Sequence, residues 1–339
     1  MTHNPNPPNS TANLALARSV GRSVAAGTPL SSAELFALAA DAFGGTLAEG
    51  AFSPRDAYDA AELRLHLHLL RLDLPLGDDP SDGLAEVERL SALLPSQTRR
   101  TAAQNDYQQF STPAAYAALC AWVSGVGARG SARGSRVIEP SAGTGALCTF
   151  ALASGATVHA NELCDRRADL LAVLLDEAGR DPSRTMTREN ADHLDAILPP
   201  EARADVVLMN PPFSRTAGRL GSRRVVTVGT DHVLQALKRL DPGGRLVAVL
   251  SAGVRRGKTT HRAFFEAVDR TPFRLRADIE VGGAVYRPYG TSVRTRVLVV
   301  DRGPENDPAR SRACVEASVG SVADALGVLA PVQADRHFG

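Results

Sequence analysis

Residues 136–145 read Arg-Val-Ile-Glu-Pro-Ser-Ala-Gly-Thr-Gly, and this stretch decides the fold. An extended run ends at Glu139-Pro140, and glycines follow at 143 and 145. They permit a tight turn and let a ligand lie against bare backbone at a helix start. Further strand candidates lie at 156–162, 184–190, 204–210, 244–251, 274–281 and 294–301, with helical patterns such as DRRADLLAVLLDEAG and DHVLQALKRL between them. Alternation of this kind specifies an α/β protein with a mainly parallel, doubly wound sheet.

Outward from that core the rhythm changes. Between Leu14 and about Arg100 apolar residues recur at helical spacing, and Ser53-Pro54 has the form of a capped helix start. The expected organisation is a disordered N-terminus (1–12), a helical N-terminal domain (13–105), the α/β domain (106–302), and a peripheral linker and tail (303–339) with one weak helix around 318–328. The 339 residues are 44% hydrophobic and 22% charged, the profile of an ordinary globular protein. Every apolar run falls short of the roughly 20 residues that span a bilayer. The N-terminus MTHNPNPPNS has neither the basic start nor the apolar core of a signal peptide. Cysteines at 120, 148, 164 and 314 form no C-x-x-C pair, so neither a zinc site nor a disulfide framework is expected and the cytoplasm is the expected compartment.

In a doubly wound sheet ligands bind beyond the carboxyl ends of the strands. A G-x-G after a strand fits many nucleotide folds, but Cys148 stands where a dinucleotide fold wants its third glycine. The second strand candidate ends at Glu162, about 20 residues on, where a carboxylate can accept both ribose hydroxyls of an adenosine; a surface glutamate is the competing reading. The fourth ends in Asn210-Pro211-Pro212-Phe213. Two prolines remove two backbone donors and hold the chain extended. On such a shelf the Asn210 side-chain oxygen and the adjacent carbonyl can accept from an exocyclic amine, and Phe213 can lie on the ring that carries it.

These stretches resemble the motifs of S-adenosylmethionine-dependent amino-methyltransferases acting on DNA adenine. Gln109-Phe110-Ser111-Thr112-Pro113 is similar to the segment that in the gamma-class enzymes packs over the methionine end of the cofactor. Tyr289 to Arg296, followed by VLVVD, resembles the last hairpin of the methylase part of phage and plasmid proteins that carry a strawberry notch-type helicase, and FSPRDAYDAAE (52–62) resembles the region ahead of it. The likeness covers about 50–302. It implies a class I methyltransferase, Rossmann-like sheet of seven strands, the last one antiparallel. It also implies S-adenosylmethionine as cofactor, held by Phe110, Thr112, Pro113, Glu139, Ala142, Gly143, Thr144, Gly145, Glu162 and Asp192, with Asn210, Pro211, Pro212 and Phe213 at the reacting amine. Helix capping is the rival role for Asp192. Two departures stand out: only 38 residues follow Asp301, too few for a large target-recognition domain, and no helicase follows.

The net charge of +1 conceals an asymmetry. Residues 203–302 hold 19 Lys plus Arg against 8 Asp plus Glu, a field suited to a polyanion. Arg215, Arg219, Arg223 and Arg224, interleaved with glycines just beyond the shelf, suit DNA phosphate contacts, with a plain surface loop as the alternative. Tyr286 and Tyr289 read as packing residues before base-stacking ones. Gly253 to Thr259 falls one residue short of a phosphate-binding loop because Ala252 stands where its first glycine belongs. His66 and His68 point apart on a helix, so no metal site is expected. The expected reaction is direct methyl transfer to N6 of a flipped adenine in DNA. The alternatives are an adenine in RNA, a protein glutamine, or a non-catalytic DNA-binding or anti-restriction protein of the same fold.

Overall fold

The computed structural model describes residues 10–97, 110–127, 133–199, 202–217, 223–303 and 313–335. Its centre is the sheet opened by β1 (Arg136–Glu139) and β2 (Thr157–Asn161), continued by β3 (Met186–Thr187), β4 (Ala204–Met209), β7 (Leu240–Ser251), β8 (Phe273–Val281), β9 (Thr295–Arg302) and β10 (Val315–Val319). The strand order is β10-β8-β9-β7-β4-β1-β2-β3. Only β9 runs against its neighbours, antiparallel to both β7 and β8. A separate hairpin of β5 (Arg215–Ala217) and β6 (Arg223–Val225) follows β4.

Both faces of the sheet are covered, and the strands are apolar on both sides as buried parallel strands require. Successive residues of β4 divide accordingly: Val206 and Leu208 enter one core, Val207 and Met209 the other. The first core packs beneath α5 (Ala114–Ser124), α6 (Ala146–Ala153) and α7 (Asp165–Glu177); the second packs against α10 (Val228–Leu237) and α11 (Arg262–Val268). Short turns α8 (Pro182–Thr185) and α9 (Leu194–Ile197) complete this half.

Among the described residues four helices lie ahead of α5: α1 (Ser10–Ala25), α2 (Ser32–Phe43), α3 (Pro54–Arg71) and α4 (Ser81–Ser91). Ser53 caps α3 as its sequence signals, with Asp56 completing a reciprocal capping box. The α1–α3 contact has a small core of its own around Leu16, Leu35 and Tyr58. Leu63, Leu65 and Leu69 of α3 instead join the core that holds Val137 and Phe150, so the helical segment and the sheet share apolar interior.

Three expectations change. The sheet has eight strands rather than seven: Val315–Val319 pairs in parallel with β8, and α12 (Val322–Ala334) caps from Ser321 and packs on α5. The tail is therefore part of the sheet and its cover, not peripheral. The weak helix expected at 318–328 starts at Val322 because Ser321 and Asp324 form a capping box there. Third, the strand expected at 184–190 shrinks to Met186–Thr187, since Asp181 caps a helical turn before it and Asn190 caps another after it. Of the N-terminal stretch expected to be disordered, residues 10–12 start α1, and 1–9 lie outside the described residues. No helix among the described residues is long and apolar enough to cross a membrane.

Candidate active site

The chain leaves β1 and builds outward through β2 and β3, then returns to β4 on the other side of β1. The order of strands reverses between β1 and β4, and a crevice opens at their carboxyl ends. The turn after β1 and the start of α6 form its floor, Glu162 after β2 one wall, Asn210-Pro211-Pro212 after β4 the other, and Phe110-Ser111-Thr112 its cover. Ala142 and Thr144 also line it.

Both turn glycines have left-handed backbone, φ +59° at Gly143 and +96° at Gly145. A Cβ on Gly143 would meet nothing within 4 Å, so open space lies above it; a Cβ on Gly145 would overlap Leu174 of α7. Gly143 thus faces a ligand, and Gly145 permits the close approach of α6 to α7. The Gly143 N–H donates to Glu162 Oε2 at 2.7 Å and the Cys164 N–H to Oε1 at 2.8 Å. A carboxylate offers about four acceptor positions, so Glu162 keeps about two for hydroxyl groups.

Asn210 sits where β4 ends. Its Nδ2 donates to Thr112 Oγ1 at 2.9 Å and to the Phe110 carbonyl at 3.4 Å, which fixes the amide plane across a gap of about 100 residues in sequence. Phe213 is 6% exposed and packs against Phe110, ring centroids 6.3 Å apart.

Helix α3 supports the turn from outside. Glu62 Oε2 accepts the Thr144 hydroxyl at 2.9 Å, and His66 Nδ1 donates to the Thr144 carbonyl at 3.1 Å. The His66 ring is therefore a structural prop, and burial lowers its pKa. Arg55, two turns before Glu62, reaches Ser111 Oγ at 2.7 Å and Gln97 Oε1 at 3.0 Å.

Several residues expected at the cofactor stand elsewhere. Glu139 is buried beneath the turn, 2% exposed, where its Oε2 accepts the Cys148 thiol at 2.7 Å. Burial pushes its carboxyl up to about 8. Its contact is with the helix that carries the turn, because β1 points it inward. Asp192 accepts from His232 Nε2 of α10 at 2.8 Å, and its own N–H is capped by Asn190. Pro113 is the residue before α5 and borders a different hollow, between α4 and the 283–289 segment. Arg215, Arg223 and Arg224 belong to the β5–β6 hairpin beside the shelf, whereas Arg219 lies outside the described residues. Tyr286 is fully buried, stacked edge-on against Tyr116, as a packing residue.

Sequence reasoning missed Arg167 and quoted Ser111 and Ser141 within its motifs without assigning them to the site; all three line the crevice. Arg167 had a signal. Arg55, Asp59, Glu62 and His66 recur at helical spacing along α3, a polar stripe that must meet polar partners if the helix is buried.

Residues 128–271 match the family model described as Methyltransferase small domain. Among solved structures, a class I S-adenosylmethionine-dependent methyltransferase of Listeria monocytogenes is similar at 13% identity and TM-score 0.56, over 96% of this chain and 94% of that one. The type I restriction-modification system methyltransferase subunit of Streptococcus thermophilus is similar at 15% identity and TM-score 0.53, over 95% and 74%. The fold is that of a class I methyltransferase. No curated protein matches the chain. The matched domain and the fold support S-adenosylmethionine as cofactor, and the crevice fits it: open space over Gly143, a strand-end carboxylate with acceptor positions to spare, and a polar cover at Ser111 and Thr112. Among the described residues no group of three His, Cys, Asp or Glu side chains is placed to hold a metal ion.

Proposed function

We propose that this methyltransferase modifies the exocyclic N6 amine of adenine in DNA. The observation that carries the reading is the tethered Asn210 amide. Among the described residues Nδ2 donates to Thr112 and Phe110, with the Tyr286 hydroxyl beside the same amide, which leaves Oδ1 to accept, and Pro211 and Pro212 keep the adjacent carbonyl extended beside it. The resemblance of residues 109–113, 210–213 and 289–296 to gamma-class adenine methyltransferases supports the same reading.

An exocyclic amine is a poor nucleophile because its lone pair is delocalised into the ring. Asn210 Oδ1 and the Pro211 carbonyl would accept its two hydrogens, drawing the nitrogen out of planarity and directing the lone pair toward the crevice. The bound cofactor supplies a methyl group on a sulfonium, already a strong electrophile. Asparagine holds no proton, so the methylated amine releases its extra proton to water. A paired adenine must leave the duplex to reach this shelf, at a cost of a few kcal/mol. Stacking on Phe213 requires that ring to turn from its packing with Phe110. The excess of basic residues over 203–302, including the hairpin arginines 215, 223 and 224 and Arg219, suits the phosphates that would flank the base.

Transfer of tritiated methyl from S-adenosylmethionine to duplex DNA, total RNA and protein tests the proposal. Label in DNA, recovered as N6-methyladenine, is expected. Label confined to RNA or to glutamine would replace the substrate, and cofactor binding without transfer to any of the three would remove the catalytic reading.

A further inference from the structure

We propose that Arg167 anchors the carboxylate of the cofactor's methionine arm, and that helix α3 holds it ready to do so. The inference rests on the cofactor assignment and goes beyond it by naming a residue that no motif of the fold supplies.

Arg167 is the third residue of α7, 7% exposed, yet it lines the crevice with Ser111, Thr112 and Gly143. Its one hydrogen bond among the described residues runs from Nε to Asp59 Oδ2, at a long 3.4 Å. Asp59 is fully buried and shared by three guanidinium groups: it also pairs with Arg55 Nε at 2.7 Å and Arg166 Nη2 at 2.8 Å. Those three charges hold its carboxyl below the usual range against the opposing effect of burial. Arg55 and Arg166 are further bonded, to Ser111 and Gln97 and to Asp56 respectively. Arg167 alone of the three has terminal nitrogens with no protein acceptor among the described residues.

The Arg167 side chain is thus almost wholly buried, while its unmatched donors still open on the crevice, where they are available to an anionic ligand. The cofactor carries a single anionic group, the α-carboxylate, whose two oxygens match the planar fork of an arginine. Glu162 is the competing charged group on this wall, but it is an anion whose oxygens already accept from two backbone N–H groups, so it suits hydroxyl donors and not a carboxylate. Asp59 holds the Arg167 stem through Nε, which leaves the two terminal nitrogens for the crevice that Arg167 lines together with Ser111 and Thr112. Arg167 is thus a positioning residue: it fixes the arm, and through it the sulfonium.

Calorimetry on the full chain tests this without turnover. The wild-type protein is titrated with S-adenosylhomocysteine, with 5′-methylthioadenosine, which lacks the amino-acid arm, and with decarboxylated S-adenosylmethionine against S-adenosylmethionine itself. Loss of the carboxylate alone should weaken binding about 10- to 100-fold. Arg167→Met should weaken S-adenosylhomocysteine by a similar factor and leave 5′-methylthioadenosine within about twofold, with Arg167→Lys recovering part of the loss. Equal losses for both ligands would make Arg167 merely structural and overturn the proposal. So would a wild-type protein indifferent to the carboxylate, a result obtained even if the variants fail to fold. A wild-type protein that binds none of the four ligands would overturn the cofactor assignment as well.

Discussion

The carboxylate of Glu62, on the third N-terminal helix, accepts the hydroxyl of Thr144 in the glycine turn at 2.9 Å, across 82 residues of sequence. One turn further along the helix, His66 holds the carbonyl of the same residue. The turn that faces the cofactor is thus fastened by a helix outside the α/β sheet. Glu62→Ala and Thr144→Val should each weaken S-adenosylhomocysteine binding about 5- to 30-fold. Both remove the Glu62–Thr144 bond, and Glu62→Ala removes in addition the bond its Oε1 accepts from Gln97, so Thr144→Val should add little to the loss already caused by Glu62→Ala. Additive losses in calorimetry would mean that the two side chains act separately.

The Asn210 amide carries the chemical proposal. Asn210→Ala should abolish methyl transfer, a fall of about a thousandfold or more in kcat, while S-adenosylhomocysteine affinity stays within about threefold. Thr112→Val leaves the shelf in place but frees the amide to turn, so a smaller fall of about tenfold is expected from its lost orientation. Transfer assays on duplex DNA paired with calorimetry separate the two effects. An Asn210→Ala protein that retains most of its rate would break the assigned role.

The strands, the glycine turn and the diproline shelf were legible because each rests on local chemistry: β-branched runs, two glycines at left-handed positions, and prolines that remove donors. The strand VEASV at 315–319 was not, since its side chains are small and half polar and it is held by pairing with β8 rather than by its own pattern. Glu139 and Asp192 lie at the strand-end positions where ligand contacts are expected. Burial turned one toward Cys148, and a neighbouring histidine took the other. Which way a side chain faces at a strand end depends on partners distant in sequence. The Arg55–Asp59–Arg167 arrangement was half legible: the polar stripe of α3 announces a buried polar contact but not its partner.

The two turn glycines serve different purposes, and alanine should separate them. At Gly145 the backbone is left-handed at φ +96°, and an added Cβ would overlap Leu174 and come within 3.1 Å of Leu171. Gly145→Ala should therefore cost about 2–4 kcal/mol of stability. At Gly143 no atom lies within 4 Å of an added Cβ, so Gly143→Ala should cost only about 1–2 kcal/mol, for the left-handed backbone. Its methyl group would project into the crevice, and S-adenosylhomocysteine binding should suffer more than stability does. Denaturant unfolding and calorimetry on both variants check the ordering; a more stable Gly145→Ala than Gly143→Ala would refute the division of roles.

Glu139 predicts a pH dependence of stability. Burial, with a smaller contribution from the charge of Glu162, raises its carboxyl from an ordinary 4.5 to about 8. The folded chain therefore holds this proton more tightly than the unfolded chain. The stability it contributes is complete below about pH 4.5 and is lost as pH rises through about 8. Glu139→Gln keeps the shape and an acceptor for the Cys148 thiol but cannot ionise. Melting temperatures of the wild-type and Glu139→Gln proteins, measured from pH 5 to pH 9, should diverge steadily, with the wild type losing ground as pH increases. Parallel curves would show that Glu139 is ionised throughout, and that the thiol contact is made by a carboxylate.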